Sequence, residues 1–232
     1  VSRPFAPRGL LLVALLCAVV AVGALVGAAA LRDRGPEPAD SASAPPVPPT
    51  PGVGQDGCRT GEACQPLGRA RAGSTYLDLI GDPGGASGRV RIGGPTTSEI
   101  IEITVVDSGV TLGPDSLVCG GDAFFTACLV RGTGPDGVAG QVISGRSGKW
   151  SAGTVAFHSD AGLLTLGNTD VDSAPEVLAA TRVRPGSDRV RLVVYDVVGG
   201  DPVGCTREYP GVRSLPGYPA VSITKAALRP CA

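Results

Sequence analysis

The sequence contains no methionine, one histidine (His158), one tryptophan (Trp150) and only 4% aromatic residues. With a single imidazole, a site built on several histidines is excluded, whether a metal cluster or a histidine acid–base pair. Charge is also scarce. Charged residues make up 18% of the chain and balance to a formal net of −1, so electrostatics gives no reason to expect nucleic acid as a partner. Lysine occurs only at Lys149 and Lys225, against eighteen arginines. Together with the abundance of Ala, Gly, Val and Pro, this is the coding bias of a GC-rich bacterial genome and carries no functional meaning. C-x-x-C pairs are absent, which removes the usual zinc–thiolate spacings. No cofactor-binding motif is present.

One segment is strongly apolar. "GLLLVALLCAVVAVGALVGAAAL", Gly9 to Leu31, has no charge over 23 residues. As a helix it would measure about 34 Å, enough for a bilayer core of about 30 Å. Arg3 and Arg8 precede it, and Arg32, Asp33 and Arg34 follow, so flanking charge orients it only weakly. Cysteines supply the orientation. Cys17 lies in the run, while Cys58, Cys64, Cys119, Cys128, Cys205 and Cys231 all follow it. An even set on one side of a membrane segment reads as a disulfide framework in an oxidising compartment. The expectation is a cytoplasmic stub (1–8), a transmembrane helix (9–31) and an extracytoplasmic remainder in the cell membrane. Ala28-Ala29-Ala30 has the small-x-small form of a cleavage site, but the run exceeds a usual signal core, which favours a retained anchor.

Residues 32–57 form the next segment. From Gly35 to Gly57 the chain reads "GPEPADSASAPPVPPTPGVGQDG", with seven prolines and no apolar periodicity, as expected of an extended spacer that cannot build a core. From residue 58 to 232, short β-rich runs alternate with turn signals: "STYLDLI", "RVRI", "EIIEITVV", "DSLVC", "FFTACLV", "TVAFH", "GLLTL", "EVLAATRV" and "RVRLVVYDVV". Strands of this length, punctuated by Gly, Pro and Asp, predict one all-β domain, either a sandwich or a small propeller-like fold. A faint echo links "IGGPTTSEIIEITVV" with "LGNTDVDSAPEVLAATRV", matching Glu99 to Glu176.

Loop closure predicts sequential disulfides. Cys58 with Cys64 and Cys119 with Cys128 enclose short glycine-bearing or polar loops, and Cys205 with Cys231 follows by elimination.

Few motifs suggest chemistry. "ISGRSGKW" ends in the Gly148-Lys149 pair of a P-loop, but Ile143 stands where the first glycine is required and Trp150 where Ser or Thr should bind magnesium. His158, Ser159 and Asp160 are neighbours along a strand, so alternate side chains point to opposite faces and form no triad. The arginine sets Arg69, Arg71, Arg89, Arg91 and Arg182, Arg184, Arg189, Arg191 read as solvated faces that protect sheet edges. "LLTLGNTDVDSAPEVLAAT" places Asp170 and Asp172 before Glu176 and an apolar strand. This stretch resembles the loop of FG-GAP and VCBS repeats, extracellular propeller-type units with an aspartate-rich calcium loop between two strands. The resemblance implies Asp170, Asp172 and Glu176 as calcium ligands. The middle acid and the turn glycine of that pattern are missing, and the same aspartates would equally bond nearby backbone N–H groups in a turn.

These readings converge on a membrane-anchored extracytoplasmic binding or scaffolding module of a bacterial surface, with an unnamed surface or cell-wall ligand. The alternative is a secreted or anchored hydrolase with an unrecognised site.

Overall fold

A computed structural model describes residues 64–93, 98–122, 124–170 and 174–231. The apolar run at 9–31, the proline-rich segment, Cys58 and Asp172 lie outside the described residues. Among the described residues the chain is all-β, and no helix is long and apolar enough to cross a membrane.

Among the described residues, twelve strands form three sheets. The first contains β1 (Gln65–Ala72), β2 (Thr75–Gly81), β3 (Gly88–Gly93) and β4 (Ser98–Glu102). The second contains β5 (Leu117–Gly121), β6 (Phe125–Gly134), β7 (Gly137–Arg146) and β8 (Lys149–Ser159). The third contains β9 (Leu164–Gly167), β10 (Glu176–Arg182), β11 (Val190–Asp196) and β12 (Pro202–Cys205). Each sheet is a four-stranded antiparallel meander, with strands paired in chain order. The echo between Glu99 and Glu176 does not follow this repeat. It joins the last hairpin of the first sheet to the first hairpin of the third.

Strand alternation explains how the sheets stack. Along β6, Cys128 and Val130 enter one core with Leu77, Leu79, Val90 and Ile92 of the first sheet. Ala127 and Leu129, pointing the other way, enter a second core with Leu164, Val177 and Ala179 of the third. The central strands β6 and β7 of the second sheet are therefore buried on both faces, while β8 at its edge is exposed along much of its length. In β10 the same alternation sends Leu178 and Ala180 into a third core. That core is closed by the C-terminal segment, through Tyr209, Leu215, Val221 and Ile223.

The C-terminal segment is fastened in three ways. Val190 and Tyr209 exchange two backbone hydrogen bonds of 3.0 and 2.7 Å, and Cys205 and Arg229 exchange two of 2.8 and 2.9 Å. The Cys205–Cys231 disulfide lies beside the second pair, with α-carbons 5.0 Å apart. Cys119 and Cys128 are also bonded, standing directly opposite each other on β5 and β6 with α-carbons 4.0 Å apart. Cys64 is disulfide-bonded as well; the expected partner, Cys58, lies outside the described residues.

Three strands, β1, β7 and β12, were not legible as runs of strand-forming residues. β7 reads "GVAGQVISGR", and its composition follows from its central position. A Cβ on Gly140 would lie 2.8 Å from both Leu129 Cδ1 and Leu164 Cδ2 and 3.1 Å from the Val130 carbonyl. Both leucines are buried, so neither can move aside. Conversely, "EIIEITVV" is a strand only as far as Glu102; Val105–Ser108 turns into a 3-10 helix, from which Val105 packs into the first core. Gln141 links this segment to the second sheet. Its Oε1 accepts from Thr104 N at 2.9 Å, and its Nε2 donates to the Gly153 carbonyl at 2.8 Å.

Gly140→Ala should therefore destabilise the domain by about 1–3 kcal/mol through overpacking, whereas Gly113→Ala, which meets nothing within 4 Å, should stay within about 0.5 kcal/mol. Urea unfolding of the two variants checks this contrast; equal losses would contradict the packing described.

Candidate functional site

Turns from all three sheets meet at one end of the domain. Gly73 and Ser74 of the β1–β2 turn, Asp122 after β5, and Ser147, Gly148 and Trp150 around the β7–β8 turn line one depression of about 190 Å3. A second, of about 530 Å3, lies between the β7–β8 turn, Phe125 and Val198 of the β11–β12 turn. The β9–β10 loop arrives beside them, since a Cβ on Gly120 would lie 3.6 Å from Pro175. Two stretches that are separate in the sequence, 143–150 and 163–181, thus share one end.

"ISGRSGKW" is a hairpin. Arg146 pairs with Lys149 across a two-residue turn in which Ser147 and Gly148 have φ of 50° and 78°. Both values are left-handed, as a tight reversal matching the strand twist requires. A strand rather than a helix follows, so the turn is unlike a P-loop in fold as well as in sequence. Directly inside it, Trp150 lies over Gly145, where a Cβ would come within 2.7 Å of the indole.

The 168–176 loop is organised by its own acids. Glu176, 9% exposed, accepts from Thr169 N on one carboxylate oxygen (3.0 Å) and from Thr169 Oγ1 on the other (2.8 Å). Asp170 Oδ2 accepts from Lys225 Nζ at 2.8 Å, while Lys225 N donates to the Thr169 carbonyl at 2.7 Å. The C-terminal segment therefore braces this loop. Asp172, the third implied calcium ligand, lies outside the described residues, and among the described residues no three Asp, Glu, His or Cys side chains group together.

The neighbouring aspartates also bond backbone. Asp122 Oδ1 accepts from Phe124 N (2.7 Å) and Phe125 N (3.0 Å), and Asp196 Oδ2 from Val198 N (3.0 Å) and Gly199 N (2.5 Å). Each fixes a turn by a side-chain-to-backbone bond. His158, Ser159 and Asp160 are likewise separated. His158 is exposed, whereas buried Ser159 donates from Oγ to the Ala180 carbonyl at 2.6 Å, and Asp160 Oδ1 accepts from Arg182 N at 2.8 Å.

A second charged surface lies on the face of the first sheet turned away from the second. Register places Arg69, Asp78, Arg91 and Ile100 in one row across β1 to β4, with Arg71 beside Tyr76, and Arg89 between Ile80 and Glu102. Asp78 pairs with Arg69 at 2.5 Å and Arg91 at 3.0 Å. The guanidinium carbons of Arg69 and Arg71 lie 5.9 and 5.8 Å from the Tyr76 ring centre. The four arginines, read from the sequence as a solvated face that protects an edge, share the outer face of the sheet, where Arg69 and Arg91 flank Asp78 through a register that the sequence does not display. The hydrogen bond from Arg69 holds the Asp78 carboxyl below its ordinary range, against the opposing effect of burial and with Arg91 adding in the same direction.

No protein family, curated protein or solved structure matches the chain.

Two outcomes follow. A carboxylate with a lowered folded-state pKa contributes stability above its unfolded pKa and loses it as the pH falls through the folded value. Asp78→Asn should therefore lower Tm at neutral pH and flatten the fall in Tm towards acid; parallel wild-type and variant curves would show that the ladder contributes nothing. Because both Glu176 oxygens and one Asp170 oxygen already have donors, millimolar calcium should leave Tm nearly unchanged. A calcium-dependent rise abolished in Asp170→Ala would instead identify the loop as a cation site.

Proposed function

We propose that the chain is a membrane-anchored extracytoplasmic module that binds or scaffolds at a bacterial surface. The observation that carries this reading is the gathering of turns from three sheets at one end, around a concave surface containing the only tryptophan. Concave, partly apolar surfaces with a few polar groups are the usual form of ligand sites. The apolar segment from Gly9 to Leu31 supports the anchor, the proline-rich segment supports a spacer, and the disulfides support an oxidising compartment.

Three stacked four-stranded meanders support the propeller-like form over a two-sheet sandwich. The resemblance of the 170–183 stretch to an FG-GAP or VCBS loop belongs to the same reading, since β9, the loop and β10 follow the strand–loop–strand order it implies.

Protease applied to intact cells should cleave in the region after Asp33 and leave residues 1–8 untouched. Cleavage confined to lysed cells would overturn the topology. A mature N-terminus at Leu31 would show instead that the anchor is removed at Ala28-Ala29-Ala30.

A further inference from the structure

We infer that the depression beside Trp150 binds an acidic saccharide, a sugar chain whose rings carry carboxylates. This names the ligand class for the binding-module reading and rests on it.

The charge balance is local. Arg146 and Lys149, both exposed, flank the depression, and among the described residues no carboxylate lines it. Among the described residues neither cation forms an ion pair. Arg146 instead lies over Phe125, its guanidinium carbon 5.3 Å from the ring centre, which leaves the fork's donors in the ring's neighbourhood without occupying them. Asp122 and Asp196, which could have neutralised this end, bond turn N–H groups. The two acids hold the turns in shape while the two cations remain available to a ligand carboxylate.

The lining suits a hydroxylated body. Trp150 and Val198 provide apolar surface of the kind the C–H side of a sugar ring covers, Phe125 underlies them beneath Arg146, and Ser144 and Ser151 offer hydroxyls that both donate and accept. A volume of about 530 Å3 accommodates a short oligosaccharide segment.

The geometry is also fixed in advance. Trp150 is seated on Gly145, and the β11–β12 turn is pressed on β8 so closely that a Cβ on Gly200 would lie 2.7 Å from Val155. Ser147, between the two cations, is the one non-glycine residue with positive φ among the described residues. That left-handed conformation is what the two-residue reversal demands, and it holds Arg146 and Lys149 opposite each other at the end of the hairpin.

Trp150 is the only tryptophan, so its emission reports this depression alone. The full chain, kept in mild detergent, is titrated with tetragalacturonate, with its methyl ester and with tetra-aspartate. The expected result is a saturable change with tetragalacturonate that weakens with added salt and is roughly tenfold weaker for the ester, which has lost the charged acceptors. Arg146→Gln with Lys149→Gln should weaken the acidic sugar's binding by about tenfold or more while leaving Tm unchanged, since both side chains are exposed.

Three outcomes would overturn the inference: no saturable change up to about 10 mM, weaker than any useful affinity; equal binding of acid and ester; or an equal response to tetra-aspartate, which would make this an acidic-peptide surface. Because the titration is independent of membrane orientation, its failure is distinct from a failure of the topology.

Discussion

Burial of the central strands β6 and β7 on both faces is the constraint on which the rest of the domain depends. A four-stranded meander has one face too many to satisfy alone, and only a neighbour on each side removes both apolar faces from water. Consecutive residues of β6 serve different cores, with Cys128 facing the first sheet and Leu129 the third. A slip of one residue in that strand would exchange the two sets, so the register of β6 fixes how the first and third sheets stack upon the second.

The same constraint positions the turns. With three meanders stacked in sequence, their hairpins return to a common end, and each turn there is shaped by a short polar device. Asp122 and Asp196 accept turn N–H groups, Glu176 holds both donors of Thr169, and Ser147 and Gly148 take the left-handed backbone of a two-residue reversal. Acidic side chains spent on backbone in this way leave Arg146 and Lys149 with no carboxylate partner among the described residues. The charge available to a ligand at this end is thus a by-product of how its loops are held.

The arginine ladder on the first sheet has the opposite economy. There Asp78 lies between Arg69 and Arg91 and is held ionised by them. Cations and acid largely satisfy each other across neighbouring strands, a cross-strand pairing that stabilises a sheet face. On that face two of the four arginines share one buried carboxylate, whereas Arg146 and Lys149 at the turns share none among the described residues.

The sequence by itself determined the all-β class, most strand positions, and the Cys119–Cys128 and Cys205–Cys231 pairs, because period-two alternation, turn residues and loop closure are local properties of a chain. It also showed that "ISGRSGKW" is no phosphate loop, since the required glycine and hydroxyl are missing at fixed offsets. Tertiary structure decided the rest. β7 is a strand because Gly140 is the size that Leu129 and Leu164 leave room for, a demand that composition presents only as weak strand propensity. Strand register brings Arg69 and Arg91 to either side of Asp78 on one face of the first sheet, and Lys225 braces the loop of Asp170 across a separation of 55 residues. The depression beside Trp150 exists because the turns of β7–β8 and β11–β12 are brought together by stacking two sheets on one core. Such adjacency follows from which faces must be buried against each other, and no local pattern in the sequence records it.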